Sequence, residues 1–130
     1  KNGNFQFASS NPLWRASLDV IDFAPLLTAN YSGGIIITDW VSTENENENE
    51  SYKITIKFLS NEIRADGLKV KVYKKICDNN QNCNTQLMAS SLENEIKLAV
   101  LKKAAQIQTK DRKKRAKDSD YIITPSKKKK

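Results

Sequence analysis

The chain has 130 residues, enough for one hydrophobic core and too few for two stable ones, and its 38% apolar and 28% charged residues exclude a wholly disordered polymer. Its net charge of +7 is unevenly spread. From residue 101 onward twelve Lys and Arg face three Asp, a net +9, which leaves the first hundred residues at −2 and takes the basic balance away from the domain itself.

Residues 1–10 are polar apart from Phe5 and Phe7 and read as a flexible leader. Asn11-Pro12 is a helix start, an N-cap residue followed by proline at the first helical position, and Trp14, Leu18 and Ile21 recur at helical spacing. A helix from Pro12 to about Asp22 is predicted, ended by Pro25. Phe23 to Asn30 is short and extended, and Asn30-Tyr31-Ser32-Gly33-Gly34 supplies a tight turn into a strand from Gly34 to Ser42.

The repeat Glu44 to Glu50 alternates Glu with Asn, holds no apolar residue and must be a solvated connection. It lacks the Gly turn and ligand spacing of an EF-hand calcium loop. Tyr52, Ile54, Ile56 and Phe58 alternate with Lys53, Thr55 and Lys57, the mark of a strand with one buried and one wet face. Leu68, Val70 and Val72 alternate with Lys69, Lys71 and Tyr73 in the same way, after a turn at Asp66-Gly67.

Cys77 and Cys83 bracket a polar loop short enough for a disulfide, and free thiols are the alternative that the sequence leaves open. A bond would imply an oxidising compartment. Asp78 to Gln86 reads as a loop, after which Ser90 and Glu93 fit a capping box. Leu92, Ile96, Ala99, Val100 and Ile107 then share one side of a second helix, and past Thr109 the pattern dissolves into charge.

The order is helix, four strands, helix. The fold class is α+β: an antiparallel four-stranded meander with the C-terminal helix packed on one face. The division is leader 1–10, one globular domain 11–109, and a basic helix end and tail 110–130. No apolar run approaches the ~20 residues that cross a bilayer. The chain begins at Lys1 with no apolar signal region, which reads as a processed or trimmed product.

Leu13-Trp14-Arg15-Ala16-Ser17-Leu18-Asp19, then Phe23 and Pro25-Leu26, then Gly33 through Trp40 resembles a family of uncharacterised bacterial proteins carrying a domain of unknown function. Arg64-Ala65-Asp66 before Leu68-Lys69-Val70, and Leu92-Glu93 followed by Ile96 to Ile107, extend the likeness to about two thirds of the chain. The resemblance implies exported envelope proteins, often with a lipoprotein signal, and hence the periplasm or the periplasmic face of the outer membrane. The element order also looks like the helix-grip repeats of a lipoprotein component of the outer-membrane β-barrel assembly machinery, an analogy of fold alone. The Cys77–Cys83 loop and the lysine-rich end depart from the family.

Histidine is absent, which removes Ser-His-Asp and Cys-His catalysis, and there is no glycine-rich phosphate loop. Most paired carboxylates lie in the Glu-Asn repeat, without the fixed geometry that acid–base work requires. The reading is a binding or assembly module and not an enzyme, with no cofactor and no metal, and another envelope protein is the expected partner. Asp39 and Trp40 should face opposite sides of their strand, Trp40 inward and Asp39 outward beside Lys53 or Lys57. Parity then puts Ile35 and Ile37 on the face that carries Lys53, Lys57, Lys69 and Lys71, an apolar patch rimmed with positive charge, suited to a protein or a lipid headgroup. The cluster Lys110, Arg112, Lys113, Lys114, Arg115 and Lys117 offers a separate anion-binding element, for an anionic lipid surface or, as the alternative function, nucleic acid.

Overall fold

The computed structural model describes residues 11–42, 49–88 and 90–128, with Ser90 and residues 119–128 described by backbone alone. The leader 1–10 and the greater part of the acidic repeat, residues 43–48, lie outside the described residues, and the expectations attached to them with it.

Helix α1 spans Pro12–Val20. Asn11 starts it as the sequence predicts: its Oδ1 accepts the backbone N–H of Leu13 at 2.9 Å and of Trp14 at 3.2 Å, satisfying two donors that have no partner inside the helix. Leu13, Trp14, Ala16 and Ser17 are its buried face. The Ser17 hydroxyl donates to the Leu13 carbonyl at 2.9 Å, so this buried polar group costs little.

Five strands follow, β1 (Leu26–Asn30), β2 (Ile35–Thr38), β3 (Glu50–Phe58), β4 (Leu68–Cys77) and β5 (Cys83–Leu87). They form one antiparallel sheet whose spatial order equals the chain order, the expected meander with one strand more than predicted. The expectation of a loop from Asp78 to Gln86 fails because β5 is exposed along its whole length. A strand with no buried face carries no alternation to read. What holds it is local. The Asp78 carboxylate accepts the backbone N–H of Asn80 and Asn82, each at 2.9 Å, and Gln81 takes a left-handed φ of 69°. Cys77 and Cys83 then meet in register and form a disulfide. Thiol titration of the denatured protein is expected to find no free thiol before reduction and two after it; free thiols in the freshly purified protein would contradict the bond.

Gly34, at a φ of 66°, turns β1 into β2, and a Cβ there would press on the Phe58 carbonyl oxygen at 3.2 Å. Between β3 and β4, Arg64 reaches Asp66 with two nitrogens, at 2.8 and 3.0 Å, and Glu62 with a third at 3.1 Å. That fork holds the Asp66 carboxyl below its ordinary value.

Helix α2 spans Ser90–Lys128, so helical backbone continues past Thr109, where the sequence reads as a helix end and tail. The capping box expected of Ser90 and Glu93 rests on a Ser90 side chain outside the described residues, but Glu93 itself ties the helix to the sheet. Its carboxylate accepts the Val72 backbone N–H at 3.1 Å, while the Val72 carbonyl accepts from Met88 at 2.8 Å as the chain leaves β5. Val100, expected on the packing side, is fully buried, and Ala104 with it, whereas Ala99, expected on the same side, is exposed. Both helices lie on one face of the sheet. The core joins Leu13, Trp14 and Ile21 to Ile36, Ile54, Ile56, Leu68, Val70 and Val72, closed by Val100 and Ala104. Two ion pairs tie the helices together, Arg15 to Asp111 at 2.8 Å and Lys103 to Asp19 at 3.2 Å.

Candidate functional site on the outer face of the sheet

Because Ile36 stands opposite Ile56 and Ile54 opposite Val72 in the core, the residues between them must face away from the helices. Strand pairing lays them out in rows. Ile35, Lys57 and Lys69 form one row; Ile37, Thr55 and Lys71 form the next. The placement of Ile35, Ile37, Lys53, Lys57, Lys69 and Lys71 on one face is as parity predicts. Lys57 and Lys69 are direct cross-strand neighbours. Like charges so placed repel.

Trp40 is a correction. Parity assigns it to the core, yet it lies on the outer face, with the Lys53 ammonium 5.1 Å and the Lys75 ammonium 4.6 Å from its ring centroid. The reason is a change of register. Ile37 is opposite Thr55 but Val41 is opposite Tyr52, so four steps along one chain match three along the other and one residue is extra. This β-bulge at Asp39 and Trp40 breaks the alternation on which parity depends. Thr38 sustains it from inside: its Oγ1 accepts the Ile54 N–H at 2.9 Å and its hydroxyl donates to the Asp39 carbonyl at 2.9 Å. Asp39 is exposed, as expected, but makes no ion pair with Lys53 or Lys57; its carboxylate accepts the Trp40 N–H at 2.8 Å.

The site therefore contains three residues that sequence reasoning missed, Trp40, Tyr73 and Lys75. Tyr73 and Lys75 continue the period of Lys69 and Lys71 along β4, and only the early end assigned to that strand hid Lys75. Five lysines (Lys53, Lys57, Lys69, Lys71 and Lys75) thus share a face with Ile35, Ile37, Trp40 and Tyr73. None of the five is ion-paired among the described residues. Lys74, which points the other way, is paired with Glu50 at 3.4 Å.

Two other features lie apart from this face. On the inner side, where the helices stop short, a cavity of about 260 Å³ is lined chiefly by apolar groups including Phe23, Val41, Tyr52, Met88 and Leu92. Along α2, Lys110, Arg112, Lys113, Lys114, Arg115 and Lys117 are all exposed. At 100° per residue they surround the helix rather than form one basic side. The structure does not bring this cluster into the sheet-face site. Among the described residues no group of acidic and cysteine side chains is arranged to hold a metal ion, and no helix is long and apolar enough to cross a membrane.

Comparison with known proteins gives a relative but no function. The chain is 39% identical over 87 residues to "Uncharacterized protein RP420" of Rickettsia prowazekii (strain Madrid E), covering 65% of this chain and 52% of that protein. It thus spans about half the length of the relative. No solved structure matches it. Residues 7–109 match the family described as "Domain of unknown function (DUF3576)", a span that takes in α1, the whole sheet and the packed part of α2. The chain therefore belongs to the DUF3576 family.

Proposed function

We propose that this domain is a non-enzymatic binding or assembly module of the bacterial cell envelope, and that it holds another protein on the outer face of its sheet. The observation that carries this reading is the face itself: two isoleucines and two aromatic rings among five lysines, none of them ion-paired within the described chain. A sheet needs only one apolar face to fold, and here the helices cover the other. Isoleucine, tryptophan and tyrosine on the uncovered face are groups that interfaces bury.

The compartment is argued from the Cys77–Cys83 bond, which persists in an oxidising environment such as the periplasm. We extend this to the periplasmic face of the outer membrane, in a lipoprotein-type setting. The element order of helix, antiparallel strands and helix supports the analogy to the helix-grip repeats of the β-barrel assembly lipoprotein, as a likeness of architecture.

The test is photo-crosslinking in cells, with the reactive group placed at Thr55 in the middle of the face. Adducts with envelope proteins are expected, and fewer should form when the group is placed on exposed Lys102 of α2. Adducts with cytosolic proteins alone would sink the reading.

A further inference from the structure

We infer that the partner docks as an amphipathic helix with an acidic stripe beside an apolar one, a statement about the partner that rests on the protein-binding reading above. The layout of the face points to it. Ile35, Ile37 and Trp40 form an apolar column along β2 and its bulge. Lys57 and Lys53 form a basic column on β3, and Lys69, Lys71 and Lys75 form another on β4. Neighbouring strands are ~4.8 Å apart, and residues on one face of a strand recur every ~6.8 Å. The apolar column is therefore about 14 Å or more long, with the lysines ~5 and ~10 Å to one side of it.

A helix is about 10 Å across, and two of its turns span about 11 Å, so one helix lying along the strands covers the apolar column and the adjacent lysines together. An extended segment does not fit as well. Alternate residues of a strand point down in a single line, which meets one column and leaves the other bare.

Charge supplies the sign. The five lysines lack a carboxylate partner among the described residues, and the Lys57–Lys69 pair carries a cross-strand repulsion that an acidic side chain laid between them would relieve. A bilayer surface is the poorer match. Ile35 and Ile37 are half-buried, and Trp40 lies under two ammonium groups, so the apolar column does not project past the charges to enter the headgroup layer; exposed Leu87, opposite Tyr73, lies apart from that column on the edge strand β5. Single-stranded nucleic acid would need a run of open aromatic rings on which successive bases stack; the lysines already lie over that of Trp40, which leaves Tyr73 alone to offer one.

The probe is a synthetic 18-residue helix with leucine on one stripe and glutamate on the adjacent one. Its glutamine counterpart, phosphatidylglycerol vesicles and an oligothymidylate serve as comparisons. Binding to the full chain is followed by anisotropy, and the contact surface by amide chemical shifts. The acidic helix is expected to bind more tightly than the other three, to weaken with added salt, and to shift the amides of β2 to β4. Lys57→Glu should weaken it about fivefold, and Lys57→Glu with Lys69→Glu about tenfold or more, whereas Lys102→Glu should leave it unchanged. Equal binding of the acidic and glutamine helices overturns the inference, as does tighter binding of vesicles or oligonucleotide through the same lysines. The protein-binding reading is judged separately. If envelope proteins crosslink at Thr55 as strongly in the Lys57→Glu, Lys69→Glu variant, the acidic partner is wrong and the reading stands; if no protein crosslinks there, the reading itself fails.

Discussion

Trp14→Ala is expected to lower the stability of the domain by about 3–5 kcal/mol, the range for removing a large aromatic side chain from a packed core. Trp14 is only 7% exposed, and its ring meets Tyr31 edge-on at 5.2 Å between centroids and Phe58 at 5.4 Å. Those two residues belong to the turn after β1 and to the end of β3. One side chain of α1 thus bridges two parts of the sheet, and its loss leaves a void that no single element can collapse to fill. Trp14→Phe keeps much of the apolar area and should cost clearly less. Equilibrium denaturation in urea reads both. A loss below about 1 kcal/mol for the alanine variant, well under the range for such a truncation, would mean that α1 is not fixed on the sheet as described.

A second large effect is expected at Thr38, whose side chain is fully buried. Valine has nearly the same shape, so Thr38→Val creates no cavity; the change isolates the hydroxyl. That hydroxyl accepts the Ile54 N–H where the bulge takes the neighbouring backbone away, and without it a buried donor has no partner. A loss of about 2–3 kcal/mol follows, near the upper end for one buried donor because the bond to the Asp39 carbonyl goes as well. Thr38→Ser keeps the hydroxyl and should recover most of it. The variant has a local signature too. If the bulge relaxes, Trp40 leaves Lys53 and Lys75, and its fluorescence should shift while that of buried Trp14 stays in place; equal stability of the valine and serine variants would show that the hydroxyl does not hold the bulge.

Much of this architecture is legible in the residues because burial imposes a period. Tyr52 to Phe58 and Leu68 to Val72 alternate since one face of each strand is in the core, and Asn11-Pro12 marks a helix start because unpaired amides need an acceptor. What escapes is what burial does not control. β5 carries no alternation, since every residue in it is exposed, and its position is set by the Asp78 turn and the cysteine pair. The face of Trp40 depends on one extra residue between Thr38 and Val41, which a rule of strict alternation cannot register. The candidate site is accordingly half visible. Ile35, Ile37 and four lysines follow from parity, and Tyr73 shares their face by the same alternation though the sequence reading leaves it out of the site, whereas Trp40 requires the bulge and Lys75 the true length of β4.

The meander has a kinetic consequence. Each strand pairs with its nearest neighbour in sequence, so the sheet can be assembled by closing short loops. The two helices are different, since Arg15 and Asp111 lie 96 residues apart and meet only when almost the whole described chain has been gathered. Docking of α1 against α2 is therefore the long-range step of the folding reaction, the one that turns a ribbon of hairpins into a closed core. The outer face takes no part in that step, because its residues point away from both helices. Its lysines are free to be chosen for a partner without slowing the search for the native state.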